Sequence, residues 1–194
     1  MALELGRRFV HASGAVVPGA YLLDSHVFET GLFGWPTVQV LSAVGLVVAA
    51  VLEIARLYGG FEHAVYDRLT REYERDTVAG YALYVLGATI TVFVFEPTVA
   101  VPALFMLTLG DPVSGMLSEG GLRTIARPRV LVGTFVVCFA LAYPFVPTGV
   151  AAAGAAGATV SDGIKPRIFG YVVDDNLTIP VVAAAAMWLT LGVL

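Results

Sequence analysis

The sequence predicts an all-α fold, a polytopic membrane helix bundle of about seven transmembrane helices with a cytoplasmic N-terminus. Three observations lead there. Hydrophobic residues make up 58% of the chain and charged residues 13%, about half the roughly 25% charge of a soluble domain. The apolar residues gather in runs that are too many and too long for one soluble core, and none alternates with the period of a strand. Lipid requires each segment to satisfy its own backbone groups, so the runs read as helices. Finally, all 11 Lys and Arg sort to one face of the resulting topology. The whole chain, 1–194, is then a single integral membrane domain.

The expected spans, in order, are Phe9–Leu23, Pro36–Ile54, Val78–Phe95, Val99–Leu117, Val130–Pro147, Val150–Val160 and Leu177–Leu194. The first and sixth are short and carry polar residues. Met1 to Arg8 shows no cleavable signal pattern. Phe61, Val65, Leu69 and Tyr73 recur every four residues, which predicts an amphipathic helix from Phe61 to Asp76. Its charges pair at Asp67–Arg71 and Arg68–Glu72. The stretch Ala151–Ala158 is almost all Ala and Gly, the composition of close helix packing, either within the bundle or between the copies of a homo-oligomer. Cys138 is the single cysteine, which excludes an intrachain disulfide; it lies in an apolar run, as a packed side chain does.

The connectors fix the orientation. Arg7 and Arg8 precede the first span. The second connector carries Arg56, Arg68, Arg71 and Arg75, the fourth Arg123, Arg127 and Arg129, and the sixth Lys165 and Arg167. The other connectors and the tail carry none, so the basic face is cytoplasmic. Among the acids, only Asp24, Glu29 and Glu96 belong to outer connectors. Asp111, Asp162, Asp174 and Asp175 therefore share the basic face, which predicts a cytoplasmic polar site rather than a path through the membrane. The net charge of −4 with a single Lys fits adaptation to high salt and does not bear on activity.

Two acidic elements need a reason to lie beside hydrocarbon. Asp174-Asp175-Asn176-Leu177-Thr178-Ile179-Pro180 reads either as a hydrated loop or as a Mg²⁺ site that carries a nucleotide's phosphates. Gly110-Asp111-Pro112 reads as a break ending the fourth span, since Pro112 lacks a donor and Gly110 loosens the helix. Broken helices near acids build ion and phosphate sites; a plain terminus at the waterline is the alternative. Ser114, Gly115, Ser118, Gly120 and Gly121 follow, small enough to approach phosphate oxygens, though no Lys-Ser/Thr completes a Walker pattern. His11, with Ser13 nearby, is an intramembrane histidine that serves as a base, a hydroxyl orienter or an interhelical hydrogen bonder. His26 and His63 fall in connectors, and the histidines lack metal-ligand spacing. No G-x-S-x-G elbow supports acyl transfer. Basic residues interleaved with acids at a membrane surface exclude a nucleic-acid partner.

Four segments together resemble the CTP-dependent lipid kinases: dolichol, phytol and farnesol kinases and the yeast-type diacylglycerol kinase. They are Arg7-Arg8-Phe9-Val10-His11-Ala12-Ser13-Gly14 with Pro18; Leu69-Thr70-Arg71-Glu72-Tyr73-Glu74 leading to Ala79-Gly80-Tyr81; Leu109-Gly110-Asp111-Pro112-Val113-Ser114-Gly115; and Asp174 to Pro180. The resemblance covers essentially the whole chain in order and points to a dolichol kinase-like member. It implies that Arg7 or Arg8, Asp111 and Asp174–Asn176 belong to a nucleotide–metal site, and Asp162 matches an acid that precedes the Asp-Asp-Asn element. Ser118 departs from the family's glycine at that place.

The expected activity is transfer of a phosphoryl group from CTP to the hydroxyl of a membrane isoprenoid alcohol or related lipid. Asp111, Asp174, Asp175 and Asn176 would organise Mg²⁺. Arg7, Arg8, Arg71, Gly110, Ser114, Arg123, Arg127 and Lys165 are candidates for phosphate contacts. Asp111, His11 and Asp162 are the candidate catalytic groups, with His11 or Asp162 orienting or deprotonating the hydroxyl. Phosphoryl transfer needs little beyond charge neutralisation and a positioned hydroxyl, which these residue types supply. A cytidylyltransferase making a CDP-activated lipid would use the same groups, and a small transporter would also use intramembrane acids.

Overall fold

The computed structural model describes residues 2–59, 77–118, 125–165, 167–168 and 171–193. The expected helix Phe61–Asp76, with Arg71, and the residues Gly120, Gly121 and Arg123 lie outside them. The described chain is helical. Its helices are α1 (Ala2–Ser13), α2 (Val16–Leu23), α3 (Trp35–Tyr58), α4 (Gly80–Val94), α5 (Pro97–Phe105), α6 (Asp111–Leu117), α7 (Pro128–Ala142), α8 (Thr148–Gly163) and α9 (Asp175–Leu191). A two-residue ribbon, β1 (Arg167–Ile168) with β2 (Tyr171–Val172), interrupts the connector before α9.

Local chemistry explains several helix starts. Proline stands in the first turn of α3, α5 and α7, where its missing N–H costs nothing. The Asp174 carboxylate caps α9 by accepting the Asn176 N–H at 2.9 Å. At the other end of the molecule a π turn, Asp24–Phe28, closes α2. Asp24 accepts from the hydroxyl and N–H of Thr30 and, at 2.9 Å, from the Phe33 N–H. The hydrogen bond from the Thr30 hydroxyl leads in holding that carboxyl below the usual carboxylate range.

Each expected apolar segment contains a helix, but two differ in detail. The first is split into α1 and α2 at Gly14–Ala15. A Cβ on Gly14 would lie 1.7 Å from the Tyr84 hydroxyl, so a side chain there would displace the Tyr84 ring. The fourth does not break at Gly110. A π turn over Met106–Gly110 joins α5 to α6, and the helix continues to Leu117. In a regular helix the Pro112 ring would collide with the carbonyl one turn back, and the wider turn accommodates it.

Among the described residues, two helices are long and apolar enough to cross a membrane, Trp35–Tyr58 with 24 residues and Pro97–Leu117 with 21. They differ in exposure. α3 turns Val40, Val44, Val47, Val48 and Val51 outward, whereas every residue from Val99 to Leu104 is buried. α4, α7 and α9 are shorter apolar helices.

The core gathers around α5 and its π turn. Val99, Ala103, Met106 and Leu107 pack with Cys138 of α7, Ala151 and Ala155 of α8, and Ile179, Ala183 and Met187 of α9. Small residues on α8 admit α9: a Cβ on Gly154 would meet Met187 at 2.5 Å, and one on Gly157 the Val182 carbonyl at 3.2 Å. The Ala/Gly-rich segment thus spends these small residues inside the bundle. A Cβ on Gly87 of α4 would meet the Asn176 and Leu177 carbonyl oxygens at 2.8 and 2.9 Å, so α4 lies directly against the first turn of α9. α3 joins α4 through a buried ion pair. Arg56 donates to Glu53 from Nε at 2.9 Å and from Nη2 at 2.7 Å, and Nη2 also reaches the Thr77 carbonyl at 2.5 Å. The Ala79 N–H donates to the same Glu53 carboxylate at 3.1 Å.

Candidate functional site

Three helix ends bring three carboxylates together. Asp111 opens α6, Asp162 lies in the last turn of α8 and Asp175 opens α9. One oxygen from each lies within 4.8 Å of the others. Asp162 and Asp175 are buried, at 8% and 2% exposure, while Asp111 is half-buried. The π turn and Pro112 aim Asp111; the contact of α4 with the first turn of α9 fixes the depth of Asp175.

Each carboxylate is held by a different kind of group. Ser114, one turn after Asp111, donates its hydroxyl to Asp162. Lys165, in the connector after α8, donates to Asp175. The His11 Nε2 lies 3.5 Å from the Asp111 Oδ2 and 2.9 Å from the Leu107 carbonyl oxygen. The Tyr84 ring packs edge-on against His11 at 4.6 Å, and its hydroxyl donates to the His11 carbonyl at 3.3 Å. Arg8 donates from Nη2 to the Gly115 carbonyl at 2.8 Å, so α1 is fastened to α6 at two levels.

The donor set suits a hard cation. Carboxylates packed this closely repel one another, and burial strengthens the repulsion. Oxygen ligands around octahedral Mg²⁺ lie about 2.9 to 4.2 Å apart for bonds of about 2.1 Å. A cluster within 4.8 Å matches that with sub-ångström adjustment, and calcium's longer bonds match it directly.

Of the residues singled out in the sequence, the fold brings Asp111, His11, Asp162, Ser114, Lys165 and Asp175 together. Asp174 and Asn176 stand beside the cluster, where the Asn176 N–H bonds both the Asp174 and the Asp175 carboxylates. Gly110 faces the Cys138 sulfur, 3.1 Å from where its Cβ would lie, and serves close packing there. Arg127 precedes α7, next to Ala126, whose N–H bonds the Gly163 carbonyl at 2.9 Å beside Asp162. The Arg7 side chain, Arg71 and Arg123 lie outside what is described. His26 is an exposed residue of the Asp24–Phe28 turn.

Sequence reading missed the Glu53–Arg56 pair, for which the i,i+3 spacing was the available signal. It also missed the service Ser114 gives to Asp162 and the role of the Leu107 carbonyl, neither of which has a sequence signal. Comparison with family models, curated proteins and solved structures finds no match.

Proposed function

We propose that this chain is a membrane lipid kinase that moves the γ-phosphoryl group of CTP to the hydroxyl of a polyprenol-type alcohol at the cytoplasmic face. The observation that carries the reading is the convergence of Asp111, Asp162 and Asp175, from three helices, with Lys165 and His11 at the rim. The outward-facing valines of α3 and the charge partition support a seven-span bundle with this site on the inner side.

Asp111, Asp162 and Asp175 would hold Mg²⁺, which would supply positive charge to offset the negative charge that develops on transfer. Ser114 and Lys165 keep two of the carboxylates from turning away from the site. The lipid hydroxyl oxygen forms the new bond to phosphorus while the β–γ bridging oxygen leaves with CDP. The hydroxyl proton passes to solvent or phosphate, a step that requires little base strength because bond breaking runs ahead of attack. Placing the hydroxyl and excluding water are the tasks left to the buried wall of α5 and α9.

Purified protein in lipid nanodiscs with Mg²⁺, γ-labelled CTP and a polyprenol tests this directly. The expected products are labelled lipid phosphate and CDP. Release of pyrophosphate would instead identify a cytidylyltransferase, and no transfer to any lipid alcohol would sink the kinase.

A further inference from the structure

We infer that His11 is a positioning residue for Asp111, locked with its proton on Nε2 by a backbone carbonyl that the helix cannot satisfy; this rests on the reading of the carboxylate cluster as a cation site. The argument begins with the π turn. In a regular helix the Leu107 carbonyl would accept the Asp111 N–H, but that N–H goes to the Met106 carbonyl, one residue further back. The next donor in a π register belongs to residue 112, and Pro112 has none. Leu107 is fully buried, so an unmet carbonyl there would be costly.

His11 supplies the donor from another helix, with Nε2 at 2.9 Å from the Leu107 oxygen. A carbonyl oxygen only accepts, so this nitrogen carries the proton; the tautomer follows from the bonding. The same N–H edge faces the Asp111 Oδ2 at 3.5 Å. A nitrogen that already holds a proton between two acceptors takes none from a substrate hydroxyl through that edge. What it does is fix the rotamer of Asp111, the most open of the three carboxylates, before any cation arrives. The Tyr84 ring stacked edge-on to the imidazole keeps it in place. Such outer partners orient metal ligands and so tune the affinity of the site.

The experiment uses the full-length protein in detergent and compares H11A with H11Q, whose side-chain amide carries an N–H to the position of Nε2. Mn²⁺ binding is read by electron paramagnetic resonance, without nucleotide, alongside the Mg²⁺ concentration for half-maximal transfer. H11A is expected to weaken Mn²⁺ binding and raise the Mg²⁺ requirement by about 10- to 100-fold. H11Q is expected to restore both to within about threefold, because it keeps the donor and lacks the base. Thermal melting of each variant shows that it is folded. Mn²⁺ affinity unchanged in H11A, or turnover as low in H11Q as in H11A with intact Mn²⁺ binding, overturns the positioning role and leaves the cation site standing. Failure of the wild-type protein to bind Mn²⁺ overturns the site and this role together.

Discussion

Glu53 near the end of α3 and Asp162 near the end of α8 are almost equally buried, at 6% and 8% exposure, yet their surroundings differ. Glu53 faces one guanidinium in two parallel hydrogen bonds and a backbone N–H, so donors meet both its oxygens. Asp162 faces a serine hydroxyl and two more carboxylates. Burial costs the two acids alike, but the first is neutralised by its own chain and the second stands where an incoming cation would neutralise it. The same residue class fastens α3 to α4 in one region and gathers α6, α8 and α9 around three carboxylates with Lys165 beside them in the other.

The comparison breaks most sharply on substitution at the cluster. Asp111→Asn or Asp175→Asn should reduce phosphoryl transfer by about 100-fold or more. The Tm of the metal-free Asp111→Asn protein should hold or rise, because one repulsive partner is gone, whereas Asp175→Asn also takes the carboxylate from Lys165 and should lower it. Radiometric turnover and thermal melting in the same preparation check both halves, and a large fall in the Tm of Asp111→Asn with partial activity would erase the contrast. The converse applies to Glu53→Ala. Leaving Arg56 buried without its carboxylate should cost about 3–5 kcal/mol of stability, with transfer per folded molecule changed far less; melting with chelator present reads it.

A smaller effect connects the two regions. Gly87→Ala introduces a methyl against the Asn176 and Leu177 carbonyls. Moving the first turn of α9 should cost about 1–3 kcal/mol and raise the Mg²⁺ requirement, since Asp175 moves with it. An unchanged Mg²⁺ titration would show that α4 does not set the depth of the site. The smallest effect is at the opposite end. Asp24 is held in its charged form, so its contribution to stability is present above the ordinary value of 3.8 and is lost as pH falls through its lower folded value. Asp24→Asn should therefore lower Tm at pH 7, and its gap to the wild type should start to close below about pH 3.8 and vanish only below the lower folded value, without touching transfer.

Much of the helical frame was legible because lipid and helix chemistry leave few alternatives. The long apolar runs became helices, and the prolines at positions 36, 97 and 128 fell in first turns as their missing donor demands. Asp111, Asp162 and Asp175 were legible as costly acids on one face. Their convergence was not, because it depends on how α9 packs on α8 through Gly154 and Gly157 and on α4 through Gly87, and no local pattern encodes interhelical depth. The sequence pointed to a break at Gly110 and could not distinguish it from a π turn, since both answer to the same proline. Asp174 and Asp175 looked equivalent in sequence; the helix start separates them, turning one into a cap and the other into the cluster.

The π turn at Met106–Gly110 has a consequence for helical phase. Each α-helical residue advances about 100° around the axis and about 1.5 Å along it. The extra residue of the π turn therefore rotates everything that follows, and without it Asp111 would point about 100° away from Asp162 and Asp175. The meeting of the three carboxylates is in this sense written as a length rather than as a residue type. Removing any one residue between 106 and 110 would leave every acid in the sequence and dissolve the site.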